Sequence, residues 1–143
     1  MQIENAILIP EIDRLMREGH EVQFTPRGES MRPFIEGDRD SVTLVRPQAV
    51  QVGDILLCEI APQHYVLHRL IAIDGDHLTL MGDGNITGEE HCLRSQVIGK
   101  VIAVTRPNGQ TRRPGNGRLW RGLLPVRKYL LKIYRKGLRA HLW

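Results

Sequence analysis

The stretch whose reading decides the fold runs from residue 64 to residue 81, HYVLHRLIAIDGDHLTLM. Two apolar, β-branched runs flank Asp74-Gly75-Asp76. Asp-Gly at the tip of a short loop is a hairpin signal, because glycine reaches positive φ without a Cβ clash. The stretch therefore predicts two antiparallel strands joined by a tight turn. Working outward, VQFTP (22–26), SVTLV (41–45), DILLCEI (54–60) and VIGKVIAVT (97–105) are further runs of strand length. Gly-Asp, Arg-Pro and Gly-Asp-Gly-Asn separate them, and such punctuation marks turns. The expectation is a mainly β domain of mostly antiparallel strands over residues 22–105.

Upstream, Ile7, Ile9, Ile12, Leu15 and Met16 recur at near-helical spacing, and Gly19 supplies a stop. An amphipathic helix is predicted over about Asn5 to Glu18, within an N-terminal segment 1–21, with Pro10 in its first turn or kinking it. Downstream, residues 106–117, RPNGQTRRPGNG, read as a turn-rich linker. Residues 118–143 alternate Leu, Ile, Val, Trp and Tyr with Arg and Lys, which predicts a basic amphipathic helical tail in one or two pieces around Pro125.

Composition bounds the function. With 143 residues, 41% hydrophobic and 25% charged, the chain suits one soluble globular domain with a core. No apolar run approaches the roughly 20 residues of a membrane-spanning helix. The first residues carry acids where a signal peptide carries a basic leader, and they lack a small-residue cleavage site. A cytoplasmic protein is the expectation. Cys58 and Cys92 form no CxxC pair and no disulfide framework, and Cys58 reads as a small buried hydrophobe. Up to Thr105 there are nine Lys or Arg and sixteen acids, a net charge of −7. From Arg106 onward there are eleven Lys or Arg and no acid, a net charge of +11.

Only the second part is built to meet an anion. Four readings of the tail stand open. It packs on the β domain and solvates its cations, it docks peripherally on an anionic membrane at the inner face, it binds nucleic acid, or it captures an acidic peptide. Nucleic acid is disfavoured, because no recognition motif accompanies the charge.

Three residues could carry chemistry. Ser30 lies in Pro26-Arg27-Gly28-Glu29-Ser30-Met31-Arg32-Pro33, where Gly28 admits a close backbone and Pro33 stiffens the exit. The segment is either a plain surface turn or a held nucleophile, and a serine hydroxyl needs a base to act as one. His68 stands on the predicted strand and shares a face with Val66. Partial burial keeps an imidazole neutral, the state of a general base. A half-buried structural histidine is the alternative. The remaining histidines, His20, His64, His77, His91 and His141, fall at element ends, in a polar loop or in the tail. Asp83, in Gly82-Asp83-Gly84-Asn85, could orient that histidine or close an Asx turn. Gly-Asp-Gly-Asn lacks the carboxylate series of a calcium loop, so no metal and no cofactor is implied.

The order of these segments resembles the signal peptidase and LexA-type serine peptidase superfamily. Gly28-Glu29-Ser30-Met31-Arg32-Pro33-Phe34-Ile35-Glu36-Gly37-Asp38 is similar to its nucleophile box, and Val52-Gly53-Asp54-Ile55-Leu56-Leu57 to the next. His68-Arg69-Leu70 falls at the general base, and Gly82-Asp83-Gly84-Asn85 resembles the last box. The match spans about Phe24 to Val104. A histidine here is that of the endoplasmic-reticulum and archaeal branch; the lysine branch has no counterpart, since Lys100, the one lysine of the β region, lies in the wrong box.

The resemblance implies the superfamily's β fold, with Ser30 as nucleophile, His68 as base and Asp83 as third member. It places the backbone N–H of Ser30 in the oxyanion hole. An extended peptide would pair along Phe24, Thr25, Pro26, Gly28, Glu29 and Met31. The membrane anchor of signal peptidases and the DNA-binding domain of the repressors have no counterpart in this sequence. The expected activity is a serine endopeptidase cleaving a leader or precursor peptide. The alternative is a catalytically silent peptide-binding or accessory module of the same fold, tethered to a membrane or partner by the tail.

Overall fold

The structure is a computed structural model that describes residues 8–141. Its strands are β1 (Val22–Phe24), β2 (Ser41–Val45), β3 (Ile55–Ala61), β4 (His64–Asp74), β5 (His77–Met81), β6 (Glu90–Leu93), β7 (Val97–Thr105) and β8 (Thr111–Arg112). The helices are α1 (Leu8–Arg17), α2 (Arg118–Gly122) and α3 (Arg127–Arg139). One sheet runs in the order β1-β2-β7-β3-β4-β5-β6, with β8 on β7, and every pairing is antiparallel. The mainly β class with a helix before it and helices after it is as expected. The turn at Asp74 and His77, which face each other, is closed by Gly75 at φ 59°.

The run ILLC in β3 does not alternate in polarity because both faces of that strand are covered. Ile55 and Leu57 point into one core, where Ile9, Ile12 and Met16 of α1 meet Met31, Ile35, Leu44, Leu67 and Val101. Leu56 and Cys58 point into the other, with Val66, Leu70, Leu78, Leu80 and Cys92. Each fully buried Leu contributes about 1.5–3 kcal/mol. β3 and β6 are not neighbours in the sheet, yet Cys58 and Cys92 are buried in the same second core. Shifts of register at Leu57/Cys58 and between Leu70 and Ala72 accompany this return of β6 over β3; such bulges raise local twist.

Two strands were not foreseen. β6 forms in the polar loop that holds His91, and β8 in the linker. The N-terminal helix keeps Pro10 in its first turn, where a missing N–H costs nothing, and ends with Gly19 at φ 91°. The expected start at Asn5 lies outside the described residues. The tail forms in two pieces, and Pro125 sits in the 3-10 turn Leu124–Val126 between α2 and α3. Trp120, Arg127 and Leu131 are buried against the β domain. Among the described residues no helix is long and apolar enough to cross a membrane.

Candidate active site

Ser30 belongs to the long turn between β1 and β2, and its neighbours hold that turn from several sides. Met31 and Ile35 are fully buried in the α1-side core. The Met31 carbonyl accepts the N–H groups of Phe34 and Ile35, both at 3.0 Å, and the Pro26 carbonyl accepts that of Asp38 at 2.8 Å. Arg32 forks onto Glu36, with Nε to Oε1 at 2.8 Å and Nη2 to Oε2 at 3.0 Å. The Glu36 N–H in turn reaches the buried carboxylate of Asp40 at 2.9 Å. Behind the serine, Gly84 N–H donates to the Ser30 carbonyl at 2.7 Å. A Cβ at Gly84 would lie 2.4 Å from the Glu29 carbonyl oxygen, and one at Gly82 would lie 2.4 Å from that of Ser30. The Gly-Asp-Gly pattern is thus a requirement of backbone against backbone under the serine.

His68 enters from β4. Its Nε2 lies 3.0 Å from Ser30 Oγ, and its Nδ1 lies 2.9 Å from Glu90 Oε2. Register explains how Glu90 arrives there. Leu70 of β4 faces Leu80 of β5, and Leu80 faces Glu90 of β6. His68 is two residues from Leu70 on the same face, so Glu90 reaches it diagonally across β5. His68 is 4% exposed, and burial pulls its pKa down to about 3. Burial also raises the Glu90 carboxyl above its ordinary range. With Glu90 ionised, Nδ1 carries the proton and donates it, which leaves the Nε2 lone pair to accept from the Ser30 hydroxyl.

Asp83 does something else. Its two oxygens take Arg69 Nε at 3.1 Å and Nη2 at 2.6 Å, and both residues are 1% exposed. The expectation that Asp83 completes a relay through His68 is corrected by strand geometry. His68 and Arg69 are successive residues on β4 and point to opposite faces, so a carboxylate saturated by Arg69 sits on the wrong side for the imidazole. Arg69 also donates from Nη1 to the carbonyls of Gly53, at 2.9 Å, and Gly115, and it lies 5.3 Å from the Phe34 ring centroid. The backbone carbonyl of Asp83 accepts Trp120 Nε1–H at 2.7 Å. One cation therefore ties β4, the turns at Gly53-Asp54 and Gly82-Asp83, the linker and the serine turn together.

The residues expected along a peptide divide. Thr25, Gly28 and Glu29 are exposed. Pro26 is buried, Phe24 packs against the core, and Met31 is fully buried with its sulfur 3.5 Å from Asp83 N. Met31 cannot line a surface; its side chain anchors the turn instead, because a buried thioether has no path to an incoming peptide. β1 ends the sheet and pairs only with β2 among the described residues.

Sequence reasoning missed Glu90. The signal was present in Glu90-His91-Cys92-Leu93, where a period of two puts Glu90 on the face of the apolar Cys92, but four residues in a polar stretch do not stand out as a strand. Among the described residues no group of three or more His, Cys, Asp or Glu is placed to hold a metal ion. No protein-family model and no curated protein matches this sequence.

Proposed function

We propose that the protein is a serine peptidase in which Ser30 is the nucleophile, His68 the general base and Glu90 the residue that orients the base. The observation that carries this reading is the series of two hydrogen bonds, 3.0 Å and 2.9 Å, linking a hydroxyl, both imidazole nitrogens and a carboxylate. These groups come from three separate parts of the chain, and nucleophile–base–orienter geometry within about 2.6–3.2 Å is the signature of an activated hydroxyl. The likeness of the serine turn, the His-Arg pair and the Gly-Asp-Gly-Asn turn to the signal peptidase and LexA-type superfamily supports the same assignment.

In this reading an extended peptide, such as a leader or precursor segment, adds to the edge of β1 that pairs with no strand among the described residues, and to the exposed backbone near Gly28. Ser30 Oγ attacks the scissile carbonyl carbon as its proton passes to His68 Nε2, and Glu90 stabilises the imidazolium through Nδ1–H. His68 then returns that proton to the departing amine, leaving the acyl group on Ser30. A water molecule, deprotonated by the same nitrogen, attacks the ester and frees the acid and the serine. The N–H of Ser30 is the oxyanion donor we assign. The third role passes from Asp83 to Glu90, and Asp83 becomes the partner that neutralises Arg69.

A fluorophosphonate probe tests the assignment directly, because it phosphonylates only an activated serine. Wild-type protein should label in a time-dependent manner, and Ser30→Ala and His68→Ala should not. Labelling that persists in Ser30→Ala would refute Ser30 as the reactive group.

A further inference from the structure

α2 and α3 rest on the β domain by one side, through Trp120, Leu131 and the Arg127 Nη1 bond to the Asn85 carbonyl at 2.9 Å. Tyr134 Oη adds a bond to Glu36 Oε1 at 3.1 Å. The outward side of a helix docked in this way is ordinarily polar throughout. Here it is not: Tyr129 is 55% exposed, Ile133 58% and, on α2, Leu119 79%. At 100° per residue Tyr129, Ile133 and Lys136 share one narrow outward sector, and Lys132 and Arg139 run along its flank. Residues 106–143 carry eleven cations and no acid, whereas the rest of the chain is net negative.

Apolar and aromatic side chains set among cations, on an exposed helix face, match the interface of a bilayer with anionic headgroups. The rings and alkyl groups enter the acyl boundary, and the ammonium and guanidinium groups meet phosphates. A phosphodiester backbone would engage the cations alone and leave Leu119 and Ile133 in water. We propose that the outer face of α2 and α3 is a docking surface for an anionic lipid bilayer. The negative body of the chain is then turned away from the lipid, so the same charge asymmetry that attracts the protein also orients it. This inference does not depend on the peptidase reading.

The test is co-sedimentation of the full chain with vesicles of phosphatidylcholine alone and of phosphatidylcholine with phosphatidylglycerol. Binding should require phosphatidylglycerol and weaken as salt rises. Lys132→Ser/Lys136→Ser/Arg139→Ser should bind on the order of a hundredfold more weakly, at about fivefold per cation. Leu119→Ser/Tyr129→Ser/Ile133→Ser should lose roughly tenfold or more, because the apolar contact goes while the charge stays. All six positions are exposed, and unchanged urea melts would show that both variants fold. Ser30→Ala should pellet like wild type, which separates this outcome from that of the peptidase assignment. Equal pelleting with and without phosphatidylglycerol overturns the proposal. So does unchanged binding by the apolar variant, or binding to an acidic polypeptide or to DNA with none to vesicles.

Discussion

Replacing Asp83 by Asn separates a structural carboxylate from a catalytic one. The substitution keeps the shape of the side chain and removes its charge. Asn offers one carbonyl oxygen to Arg69 and turns an NH2 group toward the other guanidinium nitrogen, so two donors meet where a donor met an acceptor. Arg69 is 1% exposed and has no water to fall back on. It keeps the Gly53 and Gly115 carbonyls, which are neutral dipoles and do not cancel its charge. Breaking a buried ion pair from one side costs about 3–5 kcal/mol. For a chain of 143 residues each kcal/mol moves Tm by roughly 2–4 °C, so a fall on the order of 10 °C is expected. Thermal and urea melts followed by tryptophan fluorescence suit the measurement, because Trp120 donates to the Asp83 carbonyl. The double replacement Arg69→Met/Asp83→Leu should recover much of the loss, since an apolar pair leaves no buried charge uncompensated. A stability change below about 1 kcal/mol in Asp83→Asn, set beside a large loss of probe labelling, would refute the argument and return Asp83 to the catalytic relay.

Two further outcomes bear on the serine and its base. Glu90→Gln should slow fluorophosphonate labelling about 10- to 100-fold with little change in the urea midpoint; this is less than the roughly 10⁴-fold known for a fully buried relay carboxylate, because the Glu90 side chain is 26% exposed. Labelling as fast as wild type would remove Glu90 from the site. The pH dependence follows from the direction of the His68 shift. In the proposed mechanism His68 acts only when neutral, and burial lowers its pKa to about 3, so labelling should stay level as pH falls through the ordinary imidazole value of about 6.5 and decline only further into acid. An acid limb with its midpoint at or above pH 6.5 would contradict the burial account.

Much of the fold was legible because its strongest local signals agree with its global pairing. The Asp-Gly turn at 74–75 joins two runs whose register, Ile73 on Leu78 and Asp74 on His77, is the one a tight turn enforces. β6 escaped notice for a physical reason. It is four residues long, lies at the end of the sheet and owes its form to pairing with β5 and to Cys92 packing under β3, neither of which is a local property. β8, two exposed residues long, is set by its pairing with β7 and by the Arg112 guanidinium donating to the Phe34 carbonyl. Short edge strands are made by their neighbours.

The site shows the same division more sharply. Ser30 and His68 stood out as candidates in a stiffened turn and on an apolar strand face, but each kept a plain structural alternative, and only the order of the segments set them side by side. The choice between Asp83 and Glu90 could not be made locally, since both are acids in polar loops. What decides it is the alternation of β4. Once His68 is committed to the face shared with Val66, Arg69 is committed to the opposite one, and a buried guanidinium there demands a carboxylate of its own. Asp83 meets that demand because Gly82 and Gly84 let its backbone pass directly under Ser30, at distances no Cβ would allow. The dipeptide His68-Arg69 therefore encodes two acids on two faces. One sits in the turn that supports Ser30 and balances the charge that holds the turns together. The other, on β6, is left as the only acid among the described residues bonded to the imidazole. Reading the strand's period through both residues, instead of through the histidine alone, assigns each carboxylate its partner.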